Sequence, residues 1–201
     1  MSDPITVRLA DSDSSRTLDF ALVRGTNVDV AVVDAAGAPV ANAIVVDGVT
    51  DDGRQPRRLL TTQRDGHVRI PLANGTQKMV YVLPRDGSIA SFLLRDPHEV
   101  KLVVPAGASA LRLRALLQSG EPLSGLEPRI RLNGELIPDA VLRLYAQHLG
   151  IQLATDAAGE LLLPKMPAGL YELTLDKRGN EWARVAAGNG ETTVIQRFGA
   201  R

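Results

Sequence analysis

Val28, Val30 and Val32 occupy alternate positions and lead into Asp34-Ala35-Ala36-Gly37, after which Pro39 and the apolar run Ile44–Val46 follow. A period of two places such side chains on one face of a strand. The same order returns later in the chain. Leu111, Leu113 and Ala115 alternate into Gln118-Ser119-Gly120, then Glu121-Pro122-Leu123. Thr62-Gln63-Arg64-Asp65-Gly66 before Val68 and Ile70 corresponds to Thr155-Asp156-Ala157-Ala158-Gly159 before Leu161 and Leu163. Each half then closes on three strands. In the first these are Met79–Leu83, Ser88–Leu94 and Glu99–Val104; in the second, Tyr171–Leu175, Glu181–Ala186 and Glu191–Phe198, with Leu83 matched to Leu175 and Glu99 to Glu191. A repeat that keeps order and turn chemistry predicts two copies of one domain. Many short strands joined by Gly, Pro and Asp turns predict antiparallel sandwiches.

The boundaries follow from this pattern. Residues 28–107 form the first sandwich and 108–201 the second, with Pro105–Ser109 as linker. Residues 1–27 form an extension with two short alternating segments, Ile5–Leu9 and Thr17–Val23, read as a hairpin or a leading strand. Between them Asp11-Ser12-Asp13-Ser14-Ser15 has a calcium-loop flavour, but Arg16 and Leu22 stand where glycine and glutamate belong, so a solvated turn is expected.

One stretch departs from period two. Val141, Leu144, Tyr145, His148 and Leu149 fall at i, i+3, i+4, i+7 and i+8, one face of a helix over 139–149. Pro138 or Asp139 can open it and Gly150 can close it. It sits in the segment that makes the second copy about ten residues longer than the first. An isolated helix this short is marginal in water, so packing must hold it. The expectation is that Val141, Leu144, Tyr145 and Leu149 lie against the helix's own sandwich while Arg143 and Gln147 face water; a partner-binding helix is the other reading.

Composition narrows the functions. Of 201 residues 44% are hydrophobic, and 23 basic residues balance 23 acidic ones. Through residue 100 the count is 11 basic to 13 acidic and afterwards 12 to 10, so neither half attracts nucleic acid or an anionic membrane by charge. Cysteine is absent, which removes disulfides and thiol chemistry. No apolar run approaches the roughly 18 residues of a membrane span. The start, MSDPITVRLADSDSS, has no basic n-region or apolar h-region, so no signal peptide is read; the chain is expected to be cytoplasmic or to have lost its leader.

Candidate chemistry is thin. His67, His98 and His148 show no metal-ligand spacing, and no nucleophile elbow, P-loop or dinucleotide fingerprint occurs. No catalytic residue, metal site or cofactor is predicted. Arg57 and Arg58, with Arg54, make a small basic cluster in the loop beside Asp51 and Asp52, where local pairing is expected. Of three Tyr, three Phe and one Trp, Trp182 is the candidate for an exposed platform, although strand alternation favours a core or domain-interface place for it. Candidate contact residues are therefore Trp182, Leu144, Tyr145, His148, Arg57 and Arg58.

The segment Ala154–Leu175, ATDAAGELLLPKMPAGLYELTL, resembles the signature of carboxypeptidase regulatory-like domains, small transthyretin-like sandwiches that serve as accessory modules. The resemblance spans about Val28–Val104 and Leu111–Ile195; the first copy departs from it, with Ala73–Gln77 where Pro-Ala-Gly-x-Tyr would sit. It implies an all-β chain of two tandem antiparallel sandwiches with one helix inserted in the second. It also implies an extracytoplasmic bacterial setting. Collagen-adhesin B-type domains are similar and carry a Lys–Asn isopeptide bond; Val32 and Ala115 stand at the lysine position, so no such bond is expected. Transthyretin-like hydrolases end in a tetrapeptide that Gln196–Arg201 does not match. The expected function is a non-catalytic structural or protein–protein interaction module whose partner is another protein. The alternative is a carbohydrate or cell-envelope ligand-binding module.

Overall fold

The computed structural model describes residues 25–73, 76–85, 88–95, 100–107, 109–175 and 182–199. The hairpin expected within residues 1–27 lies outside them apart from its last three residues, as do His98 and most of the turns expected at Pro84–Gly87, Asp96–His98 and Asp176–Asn180.

The chain is a two-domain all-β sandwich with one helix. In the first domain β1 (Gly25–Val33) runs between β4 (His67–Ala73) and β7 (Val100–Val103), facing a sheet ordered β3 (Leu59–Thr61), β2 (Ile44–Asp47), β5 (Lys78–Leu83), β6 (Ala90–Leu94). In the second, β8 (Ser109–Leu117) runs between β11 (Glu160–Met166) and β14 (Gly190–Phe198), facing β10 (Glu135–Ile137), β9 (Arg129–Leu132), β12 (Gly169–Thr174), β13 (Ala183–Ala187). Strand for strand the orders are the same. β1 is parallel to β7 and antiparallel to β4, and β8 repeats this with β14 and β11. The alternating residues that announced the strands fill the cores: Val28, Val30 and Val32 in one, Leu111, Leu113 and Ala115 in the other, all 0–2% exposed.

The repeat extends to single hydrogen bonds. The Thr62 hydroxyl donates to the Val40 carbonyl at 2.7 Å and accepts from Ala43 N–H at 2.9 Å; Thr155 does the same with Leu123 (2.8 Å) and Leu126 (3.0 Å). Both threonines are buried, and each hydroxyl satisfies two main-chain groups that lie outside any ladder. Gly66 and Gly159 turn at φ +79° and +74°, and a Cβ on either would lie within 2.5 Å of the carbonyl oxygen of Val32 or Ala115. Glycine is required there twice over, by conformation and by space.

Two sequence matches shift by one or two residues. Pairing of Val45 with Val82 and of Ile130 with Leu173 makes Val82 equivalent to Leu173, so Leu83 matches Thr174 rather than Leu175. Val100, opposite Val30, matches Val194, opposite Leu113. Three strands were absent from the sequence reading: β3, β9 and β10. The loop after β2 is closed by main-chain bonds, Thr50 N–H to Gln55 O at 2.9 Å and Arg57 N–H to Gly48 O at 3.0 Å.

The helix α1 spans Asp139–Leu149, as expected. Gly150 closes it at φ 66°, with Gly150 N–H on Gln147 O (3.2 Å) and Ile151 N–H on Ala146 O (2.9 Å), the Schellman pattern. Val141, Leu142 and Tyr145 are buried, and Arg143 and Gln147 are exposed. Leu144 and Leu149 are half-buried against the core, and Leu142, omitted from the expected face, is fully buried. The buried arc thus extends to Leu142, and its cluster also holds residues of the first domain.

Candidate functional site

Val46, Tyr81, Leu83 and Ile89 belong by sequence to the first sandwich, yet they join one apolar cluster with Ile137, Val141, Leu142 and Tyr145 of the second. They point outward from the β3-β2-β5-β6 sheet, since Val45, Val80 and Val82 already face its own core. β10 and the inserted helix α1 meet this face. Gly53 of the first domain accepts Ala140 N–H at 3.0 Å, supplying a main-chain partner that Pro138 at the helix N-cap does not provide by side chain. Pro138 packs against Gly53. A small cleft of about 20 Å³ remains at the seam among Met79, Tyr81, Ser91, Leu132, Glu135 and Leu136. Burial, with the Glu135 charge nearby, raises the Tyr81 phenol above its usual range.

The candidate contact residues do not converge. Tyr145 is buried and its hydroxyl donates to the Pro164 carbonyl, freed where β11 breaks register around Pro164 and Lys165. Burial, then the neighbouring Tyr171, pushes its phenol well up. His148 is half-buried, and its Nε2 hydrogen-bonds to nothing among the described residues. Arg57 donates to Val49 O at 2.9 Å and pairs with Asp51 at 2.8 Å. Arg58 approaches Asp47 at 3.9 Å, and Lys78 lies 2.8 Å from the same buried carboxylate.

Trp182 sits beside a charged row on the outer face of the second domain's four-stranded sheet. Glu172 lies opposite Arg131 on one side and Arg184 on the other, bonded at 3.3 and 2.7 Å, and Arg131 stacks 4.5 Å from the indole centroid. The Arg131 and Arg184 hydrogen bonds hold the Glu172 carboxyl below its ordinary range. On the three-stranded sheet Arg112 bridges Glu160 (2.9 Å) and Glu191 (2.8 Å) in a similar way. These carboxylates are spent on arginines. Among the described residues no group of three or more His, Cys, Asp or Glu could hold a metal ion, and no helix is long and apolar enough to cross a membrane.

An open cleft of about 490 Å³ lies at the end of the first sandwich, between Asp34–Ala41, Pro84–Arg85 and Val104–Ala106. Its walls are prolines, alanines and valines with Asp34 and Arg85, and among the described residues no aromatic ring lines it for a sugar to stack on. Asp34 Oδ1 is occupied by the amides of Ala36 and Ala38.

The seam residues were missed in the sequence although a signal existed. Met79–Leu83 and Ile44–Val46 are apolar without alternation, which marks strands covered on both faces.

No protein-family profile and no curated protein matches the chain. Among solved structures it is similar to GBS52, the minor pilin of Streptococcus agalactiae, at 14% identity and a TM-score of 0.41, covering 86% of this chain and 95% of that one. It is similar to BcpA, the major pilin subunit of Bacillus cereus, at 8% identity and a TM-score of 0.31, covering 87% and 99%. It is also similar to the Bacillus anthracis TIE protein, at 13% identity and a TM-score of 0.34, over 87% of this chain but only 34% of that longer one.

Proposed function

We propose that the chain is a non-catalytic structural and protein–protein interaction module built of two regulatory-like β-sandwiches, divided near the linker at Pro105–Ser109. The observation that carries this reading is the seam: the one element unique to the second copy is used to join the two sandwiches. A joined pair of domains in which Glu160, Glu172 and Glu191 are each paired to arginines suits a spacer or scaffold better than a reaction centre. Exposed Leu59 and Leu93 lie on the two edge strands of the first domain's four-stranded sheet and exposed Leu136 on β10, and they offer apolar contact to a protein partner. A carbohydrate or cell-envelope ligand is the second reading, favoured by the half-exposed Trp182 with Arg131, Glu172 and Arg184 around it.

The test pairs two measurements on the full chain. Unfolding in denaturant followed by fluorescence and circular dichroism should give one transition, and Tyr81→Ala should split it in two. Immobilised chain should retain a protein from extracts of its native source, with retention reduced in Leu59→Asp and Leu93→Asp. Two transitions in the parent would remove the rigid scaffold. Retention of glycans that Trp182→Ala abolishes, with no protein retained, would replace the first reading by the second.

A further inference from the structure

Sheet edges are where the two domains differ in a way no duplication requires. Every sheet ends in two strands with unpaired amides, and soluble proteins blunt such edges by shortness, proline, bulges or charge. β3 and β10 have three residues each, β7 has four, and β6 and β13 have five. β4 carries Pro71; β11 carries Pro164 and a register break. β14 is neither short nor interrupted by proline or a bulge, and its two charges, Glu191 and Arg197, are of opposite sign. It runs nine residues, Gly190–Phe198, in unbroken register along β8, and among the described residues it pairs with no other strand.

Its backbone shows which groups are open. The Phe198 carbonyl accepts from Gln118 N–H at 2.9 Å, so the even-numbered residues of β14 bond towards β8. The amides and carbonyls of Glu191, Thr193, Ile195 and Arg197 therefore point away from the sheet. Their side chains share its outer face, where Ile195, at 51%, is the most exposed large hydrophobic residue described. Arg197 is exposed and makes no ion pair among the described residues.

We propose that two copies of this chain associate through β14, antiparallel about a two-fold axis at Val194. That register pairs the strand from end to end, Gly190 against Phe198. It sets Glu191 opposite Arg197 of the partner subunit and Ile195 opposite Thr193 of the partner subunit, with each relation repeated by symmetry. All four open residues fall at hydrogen-bonded pairs, so each outward amide meets a carbonyl. Shifting the register by two residues either way loses both Glu–Arg pairs. Glu191 already accepts from Arg112 at 2.8 and 3.2 Å, and a carboxylate has about four acceptor sites, so room remains for a second guanidinium. The result is one continuous six-stranded sheet, β11-β8-β14 with its symmetry mate. This deepens the interaction-module reading by naming a second copy as one partner. A monomeric chain would overturn it and leave that reading, tested by capture of a different protein, standing.

The experiment is sedimentation velocity on the full chain across micromolar concentrations. The parent should sediment as a dimer, twice 21.5 kDa. Arg197→Glu and Glu191→Arg should each be monomeric, because like charges then face one another at both ends. Mixed in equal amounts they should form a heterodimer, since each supplies what the other lacks. Thr193→Pro removes an outward amide without touching the bonds to β8, and should be monomeric with a cooperative thermal transition whose midpoint matches that of the monomeric Arg197→Glu. A parent that stays monomeric throughout overturns the proposal. So does a dimer that survives both Arg197→Glu and Thr193→Pro.

Discussion

In the first sandwich the row across the outer face of the four-stranded sheet is Val46, Tyr81 and Ser91; in the second, the same three positions hold Arg131, Glu172 and Arg184. The frames around these rows are equivalent strand by strand, so the fold does not dictate what stands there. Cover does. In the first row Val46 and Tyr81 are buried in the cluster shared with α1 of the neighbouring domain and Ser91 is exposed beside it; the second row belongs to no apolar cluster among the described residues and is a cross-strand ion-pair ladder. The exit from the second strand of each sheet causes the difference. In the first domain the loop 48–58 returns to a three-residue β3. In the second, Asn133 and Gly134, both at positive φ, make a tight hairpin into β10, and Pro138 then launches the helix. A duplicated domain has thus become a joined pair through one altered connection.

The strongest test of equivalence is at the glycines. Gly66→Ala and Gly159→Ala each place a Cβ against a main-chain carbonyl at positive φ. The left-handed conformation costs about 1–2 kcal/mol and the overpacking about 1–3, so each should destabilise by roughly 2–5 kcal/mol in urea melts. If the two copies share this turn in substance, the losses will be alike. A variant within about 0.5 kcal/mol of the parent would show that one turn has relaxed away from the repeat.

The inserted helix should separate the copies. Leu142→Ala truncates a fully buried side chain, for an expected loss of about 2–5 kcal/mol. Leu144→Ala should cost clearly less, because that side chain is only half-buried. Equal losses would contradict the packing described here. Since the cluster spans both domains, Leu142→Ala should also lower the stability of the first, read from Tyr81 burial by hydrogen exchange of β5.

Much of this was legible and some was not, for physical reasons. Strands with one wet face announce themselves by alternation, and β1, β8 and β12 were found at once. The helix was found because its period differs. β9 and β10 were passed over although Asn133-Gly134 between apolar residues is a strong hairpin signal. Their flanks, Arg129–Leu132 and Glu135–Ile137, are too short and charged to stand out. The one-residue slip at Leu83 arose because β5 is apolar on both faces, so hydrophobicity alone could not fix its register. The six candidate contact residues have chemical type in common but not place, and the structure scatters them over a loop, a sheet face and a helix. What sequence could not supply was the neighbour covering the first sheet, because cover is a property of two domains in contact.

Thr62→Val and Thr155→Val probe the repeat more gently. Each leaves one buried amide and one buried carbonyl without a partner, for about 1–3 kcal/mol. The two values should agree, and a markedly smaller loss at one threonine would mean that water reaches that hub.

The smallest effect concerns the charged row itself. Glu172 has its carboxyl held below the ordinary range by hydrogen bonds first from Arg131 and then from Arg184, and Glu191 likewise by Arg112. A carboxylate whose folded pKa is depressed contributes stability that is fully present above its unfolded value, about 4.3, and is lost as pH falls through the folded value. The equivalent row in the first domain, Val46–Tyr81–Ser91, has no group that titrates in that window. Acid should therefore weaken the second sandwich through this face and leave the first untouched at the same positions. Glu172→Gln removes the titration, so its urea midpoint should fall less than the parent's between pH 7 and pH 3. Adding Glu191→Gln should flatten the dependence further. Parallel pH profiles for parent and variant would show that the ladder, for all its short distances, is screened by solvent and adds nothing to the contrast between the two faces.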